Sequence, residues 1–122
     1  MKTNKYIPSP IKGMPNAPEA EQAVIGSLLS FGGDKVFDAI SPELNKDMFY
    51  DNRYAVLYDA IQSLYASNKP CDIVSVSNEI RSIGKIEEVP PHFIAETLNY
   101  GFDSFHAVEH ALMAVSYTHL RA

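Results

Sequence analysis

The residues best placed to do chemistry lie near the C-terminal end, in His106-Ala107-Val108-Glu109-His110. On a helix, positions i and i+4 share a face, so the two imidazoles could bind Zn2+ while Glu109 activates a bound water. This is the H-x-x-E-H pattern of one class of zinc-dependent hydrolase. Such a site also needs a third protein ligand and a cleft, and neither His92 nor His119 stands at a spacing that nominates it. A match this short arises readily by chance. The simpler reading is a solvated polar face opposite Phe105, Val108 and Leu112, so no metal ligand is expected here.

Other candidates fare no better. Glu19 with Glu21, and Glu87 with Glu88, could do acid–base work. The first pair suits the positive end of a helix dipole and the second a solvated turn. Arg53, between Asp51 and Tyr54, fits the bracing of a helix start better than a nucleic-acid contact. Tyr54, Tyr58 and Tyr65 could stack on bases, yet they share an apolar helical stripe, which points to core packing with a hydrogen-bonded hydroxyl. The serines lack a histidine–acid partner. None of the glycines (13, 26, 32, 33, 84 and 101) opens a Gly-x-x-x-x-Gly-Lys-Ser/Thr phosphate cradle. We expect no catalytic residue and no bound cofactor in this chain.

Composition sets the outer limits. A chain of 122 residues with 46% hydrophobic and 20% charged residues is sized for one globular domain with a modest core. A net charge of −5 disfavours a phosphate backbone as ligand. A small helical DNA-binding regulator would also need a Lys/Arg-bearing recognition helix, which is missing. The single Cys71, together with the lack of a signal-like or membrane-spanning segment, points to the cytoplasm and away from membranes.

The elements that would position these residues read as helices. Asn16 with Glu19 is a capping-box pattern, Pro18 suits a first turn, and Ala20, Val24, Leu28 and Phe31, flanked by Ala23 and Ile25, form a stripe that stops at Gly32-Gly33. Asp34 can cap a short helix with Val36, Phe37 and Ile40, and Ser41-Pro42-Glu43 predicts the start of another brief one. Asp51 or Asn52 caps the clearest stripe, Tyr54, Leu57, Tyr58, Ile61, Leu64 and Tyr65, which Asn68 and Pro70 terminate. Residues 72 to 83 alternate like a strand at first. Ile73, Val76, Ile80 and Ile83 nevertheless keep helical spacing between a cap at Asp72 and a stop at Gly84, so a helix is predicted.

After Pro90-Pro91, one helix carries Phe93, Ile94 and Leu98 up to Gly101. A second starts at Ser104 with Phe105, Val108, Leu112 and Val115 on its stripe. The short connection predicts antiparallel neighbours. The whole is an all-α, compact bundle of six or seven short helices ending in an antiparallel helical hairpin. Residues 1–15 read as a flexible arm, 16–89 as the helical core, 90–115 as the hairpin, and 116–122 as a non-native or frayed tail.

Several segments carry a family resemblance. Pro18-Glu19-Ala20-Glu21-Gln22-Ala23-Val24-Ile25-Gly26-Ser27-Leu28-Leu29 is similar to the opening helix of the N-terminal domain of DnaB-type replicative DNA helicases. Phe49-Tyr50-Asp51-Asn52-Arg53, Pro70-Cys71-Asp72 with the aliphatics behind it, and Gly84-Lys85-Ile86-Glu87-Glu88-Val89 resemble further segments of that family, in its order. Pro90-Pro91 stands where the family has a glycine pair, and Tyr100-Gly101-Phe102-Asp103-Ser104 departs from its usual connection.

The resemblance implies a non-catalytic assembly and docking domain. It would form part of a collar on a hexameric ring, with primase and a helicase loader as partners and no direct nucleic-acid contact. ATP and Mg would belong to a motor domain absent from this chain, in an ATP-dependent helicase. The hairpin would pair subunits through outward apolar residues among Phe93, Ile94, Leu98, Phe105, Val108 and Leu112.

Overall fold

A computed structural model of the chain describes residues 17–30, 32–103 and 106–121. All regular secondary structure among them is helical: α1 (Ala17–Leu29), α2 (Gly33–Ile40), α3 (Asn52–Ala66), α4 (Ile73–Ser82), α5 (Pro91–Leu98) and α6 (Ala107–Arg121), with a 3-10 turn at Lys46–Met48. The all-α class follows the sequence expectation. α1 is the hub, packed against α2, α3, α5 and α6, while α3 carries α4 and the 3-10 turn on its other sides. A hub needs apolar residues around much of its circumference, and Ala20, Ala23, Val24, Ile25, Leu28 and Leu29 are all buried.

The caps explain where helices begin. The Asp51 carboxylate accepts the Arg53 backbone N–H at 2.9 Å and opens α3. The Asp72 carboxylate accepts that of Ser75 at 2.8 Å and opens α4. Asn68, at φ 56°, turns the chain out of α3, and the Lys69 N–H closes back on the Leu64 carbonyl. Helical spacing prevails over alternation in α4: Val76 is fully buried while Val74 is 69% exposed, although a strand would place both on one face.

Two boundaries differ from expectation. Asp34 does not cap α2; Gly32 does, at φ 84°, a left-handed conformation that suits glycine, and Asp34 falls in the first turn. Ser41-Pro42-Glu43 is a turn without helix, and the brief helical element comes later, opened by Asn45, whose side chain accepts the Asp47 N–H at 2.9 Å. The Asn16 half of the capping box, Phe31, Ser104 and Phe105 lie outside the described residues.

The last two helices meet through α1. α5 packs on α1 and α4, whereas α6 packs on α1 and α2, so the expected neighbours share the hub rather than a broad mutual face. The cause is a backbone crossing. A Cβ on Gly26 would lie 2.6 Å from the Thr97 carbonyl oxygen and 2.7 Å from the Gly101 nitrogen. Beside it, the Phe102 N–H donates to the Ser27 hydroxyl at 2.7 Å. The connection is thereby fastened to α1, and the helices on either side of it settle on different neighbours. The inward stripe of α6 is Ala107, Ala111, Ala114 and Val115: it keeps Val115 of the predicted stripe but turns Leu112 outward and leaves Val108 partly buried, because the alanines allow close approach to the hub. α6 runs on to Arg121, beyond Val115 where the sequence stripe ends.

Candidate interaction surface

The residues proposed from sequence for subunit contact separate into two groups. Ile94 is fully buried within this chain and belongs to its core, a correction to its expected outward position. The reason is that α5 turns Ile94 and Thr97 together toward α1 and α4. Phe93, Leu98 and Val108 are partly buried against that core, Leu112 is 42% exposed, and Phe105 lies outside the described residues. Tyr100, at the α5–α6 connection, is 50% exposed.

Phe93 is held by more than hydrophobic contact. Its ring lies 5.4 Å from that of Tyr54, and the Arg53 guanidinium covers it at 4.3 Å. Arg53 is oriented by the Asp51 carboxylate, with Nη2 and Oδ2 2.9 Å apart. That hydrogen bond holds the Asp51 carboxyl below its ordinary range and raises the Arg53 pKa. Sequence reasoning gave Arg53 the bracing role that it has, but did not foresee the ring beneath it.

Glu21 was missed. It is 2% exposed, and its carboxylate accepts the backbone N–H of Tyr50 at 2.6 Å and of Asp51 at 3.2 Å. The expected interaction with the dipole of its own helix is therefore subordinate to a clamp on the chain entering α3. The signal was present: Glu21, Ile25 and Leu28 fall at i, i+4 and i+7, in the middle of the apolar stripe, where an acid must find donors.

His106 and His110 do share a face, with ring centroids 5.6 Å apart and an interplanar angle of 23°. Beside this pair lie the Phe102 ring, edge-on to His110 at 5.6 Å, and Asp103, whose Oδ2 is 3.4 Å from His106 Nδ1. Among the described residues no group of three or more His, Cys, Asp or Glu side chains is arranged to hold a metal ion. Burial pushes the Cys71 thiol up to about 12, which leaves little thiolate near neutral pH and makes it a poor nucleophile. Tyr58 is fully buried, donates to the Leu44 carbonyl at 3.0 Å, and is pushed up to about 12 by desolvation. No helix among the described residues is long and apolar enough to cross a membrane.

Glu21, Asp51, Arg53 and Asp72 are tied into caps, a clamp and a stack, while Leu112 on α6 and Tyr100 on the α5–α6 connection are exposed at the surface. Residues 13–115 match the family described as DnaB-like helicase N terminal domain. The replicative DNA helicase DnaB of Leifsonia xyli subsp. xyli is 33% identical over 78 residues, 64% of this chain and 17% of that protein. Its counterpart in Rhodothermus marinus is 33% identical over 76 residues, 61% of this chain and 8% of that protein. This chain therefore spans at most 17% of the length of these relatives. The crystal structure of the N-terminal domain of DnaB helicase from Mycobacterium tuberculosis superposes with a TM-score of 0.72 at 25% identity, over 84% of this chain and 73% of that one. The chain belongs to the DnaB-like helicase N-terminal domain family.

Proposed function

We propose that this chain acts in DNA replication as the assembly and partner-docking domain of a replicative helicase, without performing bond-breaking itself. The observation that carries this reading is the family match across residues 13–115. In it, copies of the domain associate into a collar on a hexameric ring, and the collar presents a face to primase and to a helicase loader. ATP and Mg would be bound by a motor region outside this chain, because no phosphate cradle occurs in the sequence. Such a protein would work in the cytoplasm.

The contact between copies would use apolar side chains of the α5–α6 region: Leu112 and Val108 on α6, with Phe93, Leu98 and Phe105, but without Ile94. Two helices that spend their inward faces on α1 leave an outward remainder that a second copy can cover. Sedimentation of the chain over a concentration series tests this. Self-association that weakens in Leu112→Asp supports it, and strictly monomeric behaviour at high concentration overturns it. Retention of purified primase on the immobilised chain tests the docking role separately.

A further inference from the structure

A shallow groove of about 590 Å3 lies where α2 meets the end of α3, with Phe37 and Tyr65 on its floor and Asp34 and Asp38 on its rim. The two rings stack at 4.6 Å with 19° between their planes, and both are only partly buried. Ser41 and Gln62 also line a second hollow of about 440 Å3, which Glu43 and Met48 help to form, so the two adjoin. Asp34, Asp38 and Glu43 are exposed and make no ion pair among the described residues. No lysine or arginine lines either hollow. The register of α2 is the cause. Asp34, Phe37, Asp38 and Ser41 fall at i, i+3, i+4 and i+7 and share an arc of about 100° around the helix axis, while Lys35 stands about 60° outside it.

Three carboxylates without a counter-ion around an aromatic floor call for a basic occupant with a flat or apolar body. Asp34 and Asp38 sit on successive turns, with Cβ atoms about 5–6 Å apart. One guanidinium can meet both carboxylates at that span while its plane lies on a ring. Burial raises the pKa of the Tyr65 hydroxyl, with the charges of Cys71 and Asp34 next in effect, so the acidic rim is felt at the floor. On the α3 side, the Gln62 and Asn68 amides offer the donors and acceptors that the backbone of a bound peptide needs. Length argues for a peptide over an isolated cation. From Asp34 to Ser41 α2 runs about 10 Å, room for about three extended residues, and the second hollow carries the path on to Glu43.

We propose that this groove docks an extended, arginine-rich segment of a partner protein, one guanidinium lying on the Phe37–Tyr65 stack between Asp34 and Asp38 and a second basic side chain reaching Glu43. The surface belongs to α2, the turn after it and the end of α3, apart from the α5–α6 region, so it stands or falls independently of the contact between copies. The test is titration of the isotope-labelled full chain with an acetylated hexapeptide alternating arginine and serine, read through backbone amide shifts. Shifts centred on residues 33–45 and 62–68, with affinity lowered at least fivefold by Asp34→Asn with Asp38→Asn, support the proposal. Asp47→Asn with Glu87→Gln removes as many exposed charges outside the groove and should leave the affinity within twofold. An equal loss in both pairs overturns the proposal, because the peptide would then be following only the net charge of −5. Shifts centred on another surface, or none at millimolar peptide, overturn it as well. So does N-acetylarginine amide binding as tightly as the hexapeptide, since the groove would then hold a small cation and not a segment. Should the double variant lose helix, Asp38→Asn alone, beyond the first turn of α2, must still weaken binding at least twofold.

Discussion

Removing the Glu21 carboxylate should destabilise the domain substantially while leaving the apolar packing of α1 intact. The carboxylate receives two backbone N–H groups, from Tyr50 and Asp51, at the point where the chain enters α3. A hydrogen bond to a charged acceptor contributes about 1.5–3 kcal/mol. Both bonds here are partly buried, so water can re-solvate the freed donors in part and the lower figure applies to each. Glu21→Ala should therefore cost about 3 kcal/mol, a large share of the roughly 5–15 kcal/mol that holds a domain folded. Glu21→Gln keeps one acceptor oxygen and loses the charge, so about half of that cost is expected. Urea unfolding followed by helical circular dichroism reads both values, with an unchanged denaturant slope showing that the folded and unfolded states are otherwise comparable. Hydrogen exchange gives a local check, because the Tyr50 and Asp51 amides should lose protection before those in the middle of α3. If Glu21→Ala cost less than about 1 kcal/mol, well under the energy of one charged hydrogen bond, the clamp would not be holding α3 in place.

Three further outcomes are expected. Gly26→Ala should cost at least about 1–3 kcal/mol, because its Cβ would meet the backbone of Thr97 and Gly101, which cannot rotate away; thermal unfolding measures it. Leu112→Asp should weaken self-association in sedimentation while leaving urea stability within about 0.5 kcal/mol, as befits a residue 42% exposed. Tyr58 is pushed up to about 12 in the folded chain from 10.0, so the native state holds its proton where the unfolded chain has lost it. Its contribution is complete below pH 10 and is lost as pH rises toward 12, with a slope of up to about 1.4 kcal/mol per pH unit. Urea titrations across that window should show the decline in wild type and a shallower one in Tyr58→Phe.

How much of this was legible depended on how local its cause was. The caps of α3 and α4 and the left-handed Asn68 were visible because each is decided within a few residues of itself. The preference for helix over strand at residues 73–82 was visible because the longer period outlasts the shorter one. The α6 stripe was misplaced because alanine scores weakly in an apolar pattern yet dominates where helices approach closely: Ala107, Ala111 and Ala114 face inward. Glu21 was misassigned because its donors lie 29 and 30 residues away, a distance at which spacing rules are silent. The same is true of the Gly26–Gly101 crossing, where two unremarkable glycines matter only because they touch. Within the region proposed for subunit contact, sequence placed Ile94 outward while the structure buries it, since burial of one α5 face depends on α1 and α4.

The distribution of polar groups bears on how strongly copies of this chain should bind one another. Glu21, Ser27, Asp51 and Asp72 all spend their side chains on backbone donors. Among the described residues the exposed large apolar side chains, Tyr50, Val74, Ile83, Tyr100 and Leu112, are spread over α4, α6 and three connections instead of forming one face. A stable interface buries about 800 Å2 on each partner around a desolvated centre, which Leu112 and its neighbours on α6 cannot supply alone. Self-association of this chain should therefore be weak, with dissociation constants in the micromolar range or above, about 8 kcal/mol or less of binding energy. Weak pairwise contact is compatible with a stable ring, because closure makes each copy's second contact intramolecular. A nanomolar dimer in sedimentation would contradict that argument and would require a larger shared surface than α5, α6 and their connection present.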